Sequence, residues 1–571
     1  MTQSMNKPSK LTPFSTDVDH LELPTRFTFP YYYSPHPLAL AAIEELQQYL
    51  ETQNDWQHDF SCEGKMFAVL VVQTEQGELG YLSSFAGYLS NAKTAASTPD
   101  SFVNNICHQT NLNSEISLKE AEIKDKKCHI KTLENKKEFK ELKLRLLTSN
   151  KQADVEISRF QAQITQDKEN RKQLRNQAES KLASNLISEI ERQELNQRIK
   201  DLGNQSSHEK RAFKSLKQKW KQTVSDISDQ VDTHLAVISA QKFACDLLSK
   251  SLETHKQKSC RFLNQLGQSK SLHNLFNSQD SDKAQTPIAQ SSEENLPKLL
   301  QSAFQFGYTP LALGEFWWGA SPYDQIRQHK NLYPVCQSKC FEIIEYMLQG
   351  IDTDKSPLEE TPSLDKELEF VYEDDVLVVV NKPAEFLSVS GKYISDSVLA
   401  RIQKRYPNAT GPLLVHRLDM STSGLLVFTL TAETNKHVQR QFIERTVEKR
   451  YTALLEGNVE HEVGVIKLPL QGDMEDRPRQ MVHHKNGRSA ETRYQVISTE
   501  NSRTRVHLYP KTGRTHQLRV HCAHQAGLNT PIVGDDLYGF KDDRLHLHAG
   551  YLKLLHPVTN QELEFEVPAE F

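Results

Sequence analysis

A single aspartate stands in a segment whose residue types suit either a turn or acid–base and nucleophilic chemistry. Asp419 lies in HRLDMSTSGLLVF (416–428), two residues after Arg417 and ahead of a Ser/Thr/Gly turn and an apolar strand. An Asp before such a turn commonly hydrogen-bonds its own backbone. A carboxylate held ionised in a pocket instead serves as a nucleophile or a base. The segment alone leaves both interpretations open.

Five segments of the C-terminal region have the order and spacing of one enzyme family. They are NKPAEFLSVSG (381–391), HRLDMSTSGLLVF (416–428), EKRYTALLEG (448–457), PKTGRTHQLRVH (510–521) and PIVGDDLYG (531–539). Across about 200 residues the chain resembles the RluA-type family of pseudouridine synthases. The resemblance implies isomerisation of uridine to pseudouridine in a stem-loop of 23S rRNA, tRNA or both. This reaction breaks a C–N glycosidic bond and forms a C–C bond to the same base, so it requires no redox step, metal or cofactor.

The resemblance also assigns roles to individual residues. Asp419 is the catalytic carboxylate, either a nucleophile on the anomeric carbon or a base that removes a sugar proton; both remain open. Arg514 forms an ion pair that keeps this carboxylate ionised, for which a planar guanidinium is suited. Tyr451 stacks on the target base, and Arg417 enters the space that the flipped base vacates. Leu518 contributes to the apolar pocket wall.

Basic residues cluster in three runs of the catalytic region, at 401–407, 445–450 and 477–488. Structured RNA loops are bound through their backbone by such local patches, although ordinary solvated loops have the same composition. The third run is the best candidate for an RNA-clamping loop, with Arg477, Arg479, Lys485 and Arg488 as its cations. Lys382, in NKP, is a further candidate that is either structural or phosphate-facing.

Length and composition place limits on the whole chain. Its 571 residues suggest several domains, and a net charge of −5 argues against a globally basic nucleic-acid coat. No run of about 18 apolar residues suggests a membrane span, and the N-terminus lacks an apolar signal core, so a cytoplasmic protein is expected. The eight scattered cysteines suggest reduced thiols. Cys336 and Cys340 with His329 have no usual zinc spacing and are expected to be buried thiols.

The fold class expected is α+β. A catalytic domain with a mixed, largely antiparallel sheet is predicted together with a small α+β N-terminal domain that a long coiled-coil hairpin interrupts. The predicted boundaries are, in order, a split N-terminal domain at 1–107 and 296–351, an antiparallel coiled coil at 108–277, linkers at 278–295 and 352–367, and the catalytic domain at 368–571.

The coiled-coil prediction rests on composition and apolar spacing. No Pro occurs between Ser101 and Thr286, and Ile116, Ile123 and Ile130 recur every seven residues. The segment DLGNQSS (201–207) is the expected turn between two arms of roughly 90–130 Å. Self-association and contact with the ribosome are both possible roles for such a hairpin.

Two other classes of protein share some of these features. A coiled-coil RNA-binding or ribosome-assembly factor without catalysis is the main alternative, and the residues Asp419, Tyr451 and Arg514 argue against it. A coiled-coil ATPase requires a P-loop, and no GxxxxGK[ST] segment occurs in the chain.

Overall fold

The computed structural model describes all residues except 1–9, 32–34, 55, 57, 90–100, 107–112, 184–186, 277–293, 337–339, 357–362, 392–393 and 475. The chain divides into two compact units, one formed by Met1–Gln109 with Gln257–Phe571 and the other by Thr110–Lys256. Most of the predicted linker 278–295 and the centre of the linker 352–367 lie outside the described residues.

The elements before residue 350 are, in chain order, β1 (Thr12–Pro13), α1 (Pro37–Thr52), β2 (Lys65–Gln73), β3 (Leu79–Phe85), α2 (Asn113–Asn135), α3 (Lys137–Leu182), α4 (Glu189–Ser259), β4 (Arg261–Leu263), β5 (Ser269–Ser271), α5 (Leu272–Phe276), α6 (Asn295–Phe306), β6 (Thr309–Trp318) and α7 (Phe341–Met347).

The N-terminal sheet has the strand order β1-β3-β2-β6. Its central strand β2 is apolar on both faces because a helix covers each of them. Phe67, Val69 and Val71 pack with α1, whereas the alternate residues Leu70 and Val72 pack with α6. Strand β6 pairs with β2 although the whole helical segment separates the two in sequence.

The second unit is a helical hairpin, but its turn is not where the sequence suggested. Residues 201–207 are helical within α4, so that prediction was wrong; the one Gly there costs about 1 kcal/mol in a helix, too little to end a long one. The chain instead reverses between α3 and α4. There the side chain of Ser188 accepts from Glu191 N at 3.3 Å, and Glu191 Oε2 accepts from Ser188 N at 3.0 Å. This capping box, SEIE, was the sequence signal for the start of α4.

Contacts between the helices show that they run antiparallel. Glu120 contacts Lys256 and Glu134 contacts Lys242, so low numbers in α2 meet high numbers in α4. The apolar seam of α4 repeats every seven residues, as in a coiled coil. Its buried members are Val231, Ile238, Cys245 and Leu252, which pack with Ile123, Ile130 and Phe139.

The catalytic region comprises β7 (Glu369–Glu373), β8 (Leu377–Lys382), α8 (Val398–Arg405), β9 (Ser423–Thr429), α9 (Ala432–Glu444), β10 (Glu448–Leu455), β11 (Val463–Ile466), β12 (Leu470–Gly472), β13 (Gln480–Val482), β14 (Thr492–Glu500), β15 (Arg503–Pro510), α10 (Gln517–Ala523), β16 (Leu547–Leu555) and β17 (Glu562–Glu566).

Nine of these strands form one sheet, in the order β11-β14-β15-β10-β16-β9-β8-β7, with β17 also pairing with β16. Only the pair β9–β16 is parallel among the described strands. The predicted fold class, α+β with a mixed and largely antiparallel catalytic sheet and a helical hairpin, is confirmed.

The cysteines differ from the expectation at one position. Cys62, Cys128, Cys245, Cys336, Cys340 and Cys522 are free thiols. Cys260 is disulfide-bonded, so the expectation of a reduced thiol is wrong there. Within the described part of the chain, no group of metal-binding side chains is found, and no helix is long and apolar enough to cross a membrane.

Candidate active site

An open cavity of about 150 Å³ lies beside the centre of the large sheet. All five residues to which the sequence gave catalytic or supporting roles line it: Arg417, Asp419, Tyr451, Arg514 and Leu518. Strands β9 and β10 and helix α10 bring together residues that are far apart in the chain.

The backbone around Asp419 is held on both sides. Ser388 Oγ donates to the Leu418 carbonyl at 2.7 Å and accepts from the Leu418 amide at 3.1 Å. On the other side, the Met420 carbonyl accepts from Phe386 N at 3.1 Å. The loop between β8 and α8 therefore fixes the backbone from which the Asp419 side chain projects.

The carboxylate of Asp419 is not used by the turn. The turn is closed by the backbone, with Thr422 N donating to the Asp419 carbonyl at 3.2 Å. Within the described residues, no hydrogen bond or ion pair engages the Asp419 side chain. This geometry argues against the turn-forming interpretation, because an Asx turn requires the side-chain oxygen.

Arg514 lines the same cavity but makes no ion pair with Asp419 within 4.0 Å in the described structure. Its Nε donates to the Ser489 carbonyl at 3.1 Å, and its amide donates to Gln517 Oε1 at 3.1 Å. The guanidinium is exposed, and an exposed pair gains little in water. The ion pair inferred from the resemblance is therefore not formed in this state.

A β-bulge aims Tyr451 at the cavity. Strand β10 pairs with β16 up to Arg450 and again from Thr452, and the register shifts between them. A bulge re-aims a side chain and is frequent next to active sites. Burial, together with the charge of Asp419, raises the pKa of the Tyr451 phenol above its usual value. Tyr451 is therefore neutral at physiological pH.

Lys449 is a cavity residue that the sequence reasoning missed. It is half-buried, and burial lowers the pKa of its ammonium group. The strand alternation that places Lys449 two residues before Tyr451 was the available signal. Arg519 also lines the cavity, and it forms a buried ion pair with Asp535.

Lys382 was predicted to be either structural or phosphate-facing, and the structure shows that it is structural. Its side chain is fully buried, and Nζ donates to the carbonyls of Pro383, Phe386 and Met420 at 2.8–2.9 Å. Burial lowers the pKa of this ammonium to about 7, although the nearby carboxylates of Glu385 and Asp419 favour the charged form. Lys382 thus ties the end of β8 to the residue after Asp419.

Replacing Lys382 by Met is expected to lower the melting temperature and kcat and to leave RNA affinity unchanged. Three donations to buried carbonyls are lost, at about 1 kcal/mol each, and the Met420 carbonyl next to Asp419 is released. Calorimetry, single-turnover kinetics and RNA titration would measure the three effects. The exposed Lys436 of α9 provides the control, Lys436→Met. A weakened RNA affinity with unchanged kcat would contradict this structural role.

The candidate clamping run divides into exposed and buried cations. Arg477, Lys485 and Arg488 are exposed. Arg479 is 5% exposed and forms an ion pair with Asp476 at 3.1 Å, so its assignment as an RNA contact is wrong in this structure. A basic run read from sequence does not show which of its side chains turn inward.

Comparisons with known proteins agree with the site. Residues 376–524 match the model of the RNA pseudouridylate synthase family. The "Dual-specificity RNA pseudouridine synthase RluA" of Pasteurella multocida (strain Pm70) is 42% identical over 219 residues, which cover 37% of this chain and 97% of that protein. The protein of the same name from Escherichia coli (strain K12) is 42% identical over 212 residues, 36% of this chain and 94% of that protein.

The match therefore extends over nearly the full length of these relatives and falls in the C-terminal region of this longer chain. By the identity and coverage of these matches, this chain belongs to the RluA-type family of RNA pseudouridine synthases.

Proposed function

We propose that this protein isomerises specific uridines to pseudouridine in a structured RNA, namely a stem-loop of 23S rRNA, tRNA or both. The observation that carries the proposal is the Asp419 carboxylate, which lines a cavity with Tyr451 and Arg514 and is not engaged by its own turn. Family membership supports the same reaction, since the relatives from P. multocida and E. coli are named dual-specificity RNA pseudouridine synthases.

The reaction needs one carboxylate next to the sugar and the base. The bond between N1 of uracil and C1′ breaks, the base turns within the cavity, and C5 bonds to C1′. The proton on C5 is then released and N1 gains a proton. Asp419 either attacks C1′ or removes the C2′ proton to give a glycal. The neutral phenol of Tyr451 offers a flat surface on which the base stacks.

Substrate entry completes the site in this proposal. The target uridine leaves its stack and enters the cavity, while Arg417 takes the vacated space. Arg514, at the rim, turns from the Ser489 carbonyl to Asp419 as RNA excludes water, since a pair of charges is strengthened when water leaves. Phosphates of the stem-loop contact the exposed cations Arg477, Lys485 and Arg488.

The experiment that tests this function uses the purified full-length protein. Transcripts of rRNA and tRNA stem-loops carrying tritium at C5 of uridine should release tritium on incubation, and pseudouridine should map to defined positions. A chelator should not change the rate. The complementary experiment is pseudouridine mapping of total RNA from a deletion strain. Inactivity on both classes of stem-loop, with no site lost in the deletion strain, would refute the enzyme function.

We also propose a cytoplasmic location, where these RNAs are modified, and a role for the helical hairpin in self-association or ribosome contact. Large apolar side chains exposed on its helices support a partner: Leu144, Leu147, Val155, Phe243 and Leu247. Light scattering and ribosome co-sedimentation of the full chain, compared with a variant in which a short Gly-Ser linker replaces residues 113–256, would separate the two roles.

A further inference from the structure

The hairpin formed by β12 and β13, which carries the exposed cation Arg477 in its loop, has few hydrogen bonds between its own strands. Strands β12 and β13 have three residues each and pair with each other in a sheet separate from the nine-stranded one. Beyond this pairing, Leu470 of β12 exchanges two backbone hydrogen bonds with Arg488. A two-stranded hairpin is at best marginally stable alone in water. Its position therefore depends on what it packs against.

It packs against the segment 321–333, which follows β6 of the N-terminal sheet. Val482 N, in β13, donates to the Asp324 carbonyl at 3.0 Å. Ile326 is 7% exposed and belongs to the apolar core that includes Leu470 of β12 and Val482. One residue from the N-terminal region thus completes the core beneath the hairpin.

An ion pair fixes the loop between the two strands. The Asp476 carboxylate accepts from Arg327 at 2.5 Å and lies 3.1 Å from the Arg479 Nε. Both guanidinium groups lie 4.9 Å from the centre of the Tyr333 ring. Arg479 is thereby turned inward, whereas Arg477, two residues earlier, remains exposed.

The same segment reaches the loop behind the cavity. Gln328 Nε2 donates to the Tyr538 carbonyl at 3.1 Å, and Asn331 Nδ2 donates to the Gly539 carbonyl at 2.6 Å. The Tyr538 hydroxyl accepts from Gln480 N, in β13, at 2.6 Å and lies 2.9 Å from His516 Nδ1. Segment 321–333, the hairpin and the start of α10 are therefore joined by direct bonds.

We propose that segment 321–333 is a positioning surface that holds the β12–β13 hairpin with Arg477, and the residues after β13 with Lys485 and Arg488, in the arrangement that receives RNA. This inference rests on the proposed function. Ordering side chains before binding lowers the entropy cost of association. The relatives align over 97% and 94% of their own length with little more than a third of this chain, so this positioning surface is an addition outside their shared region.

The test compares variants of the full-length protein. Arg327→Ala is expected to raise amide hydrogen exchange in residues 470–488 and to raise KM for the RNA stem-loop by at least about tenfold, with kcat within about twofold, because three cations lose their order before binding. Arg327→Lys keeps the charge and should recover part of both effects. Asp476→Asn weakens the same pair from the side of the hairpin and should act like Arg327→Ala.

Arg26→Ala is the matched control, because Arg26 pairs with Asp352 elsewhere in the N-terminal region, 3.3 Å away. It should leave both readouts unchanged. If Arg327→Ala does not fold, Asp476→Asn decides the question. Unchanged exchange of the hairpin, or faster exchange with unchanged KM, would overturn the proposal while the wild-type enzyme stays active. If the wild type forms no pseudouridine, the proposed function fails, and the exchange and RNA-affinity measurements still test the positioning surface.

Discussion

Replacing Asp419 by Asn is expected to lower kcat for pseudouridine formation by at least about 10³-fold. The amide has nearly the same shape as the carboxylate, but it neither attacks C1′ nor removes a sugar proton. The fold and the RNA affinity should be retained, because no hydrogen bond or ion pair of the described residues uses this side chain. Single-turnover tritium release and RNA titration of the same preparation would measure the two properties separately.

Asp375→Asn is the matched control for this loss. Asp375 is an exposed Asp in the turn between β7 and β8 of the same region, so its variant should retain full activity. Activity of Asp419→Asn within tenfold of the wild type would contradict a catalytic carboxylate. Loss of RNA binding together with activity would instead indicate that Asp419 supports the local fold.

The residues around this carboxylate were predictable because short segments carry them. Asp419, Tyr451 and Arg514 each lie in a segment whose residue types match the family, and the cavity brings all three together. The contacts between these segments were not predictable. No local pattern shows that the ammonium of Lys382 is buried under the loop next to Asp419, because the carbonyls that accept from it belong partly to another segment.

The same limit applies to larger parts of the fold. The apolar run of β2 indicates a buried strand, but the two helices that cover it lie far apart in sequence. In the helical hairpin, Gly203 suggested a turn, but the capping box at Ser188 marks where helix α4 begins. Arg479 turns inward because it forms an ion pair with Asp476 and lies over the Tyr333 ring. Each of these outcomes depends on a partner outside the local window.

Replacing Arg519 by Met is expected to destabilise the catalytic region by about 3–5 kcal/mol at neutral pH, because it leaves a buried carboxylate without its cation. Arg519 Nε donates to Asp535 Oδ2 at 2.9 Å, and Nη2 contacts Asp535 Oδ1 at 2.5 Å. The two side chains are 3% and 0% exposed. Met keeps most of the apolar volume, so the loss reports mainly on the charge.

The pH dependence of this loss has a definite sign. Burial alone would raise the pKa of the Asp535 carboxyl, but Arg519 and the amides of Tyr538 and Leu537 hold that pKa below its usual value. In the wild type, the stability from this group is present above the unfolded pKa of about 3.9 and is lost as the pH falls through the lower folded value. Without Arg519, burial raises the folded pKa, so stability is lost as the pH rises. The difference in melting temperature between the wild type and Arg519→Met should therefore increase from pH 4 to pH 7.

Two further variants distinguish an unpaired charge from lost packing. Arg405→Met removes an exposed pair with Glu373, whose side chains are 50% and 38% exposed, and should cost less than about 1 kcal/mol. The double variant Arg519→Met/Asp535→Asn should recover part of the stability, because the neutral amide oxygen still accepts from the amides of Leu537 and Tyr538. If the double variant is no more stable than Arg519→Met and the deficit does not change with pH, the buried ion pair is not what stabilises this part of the fold.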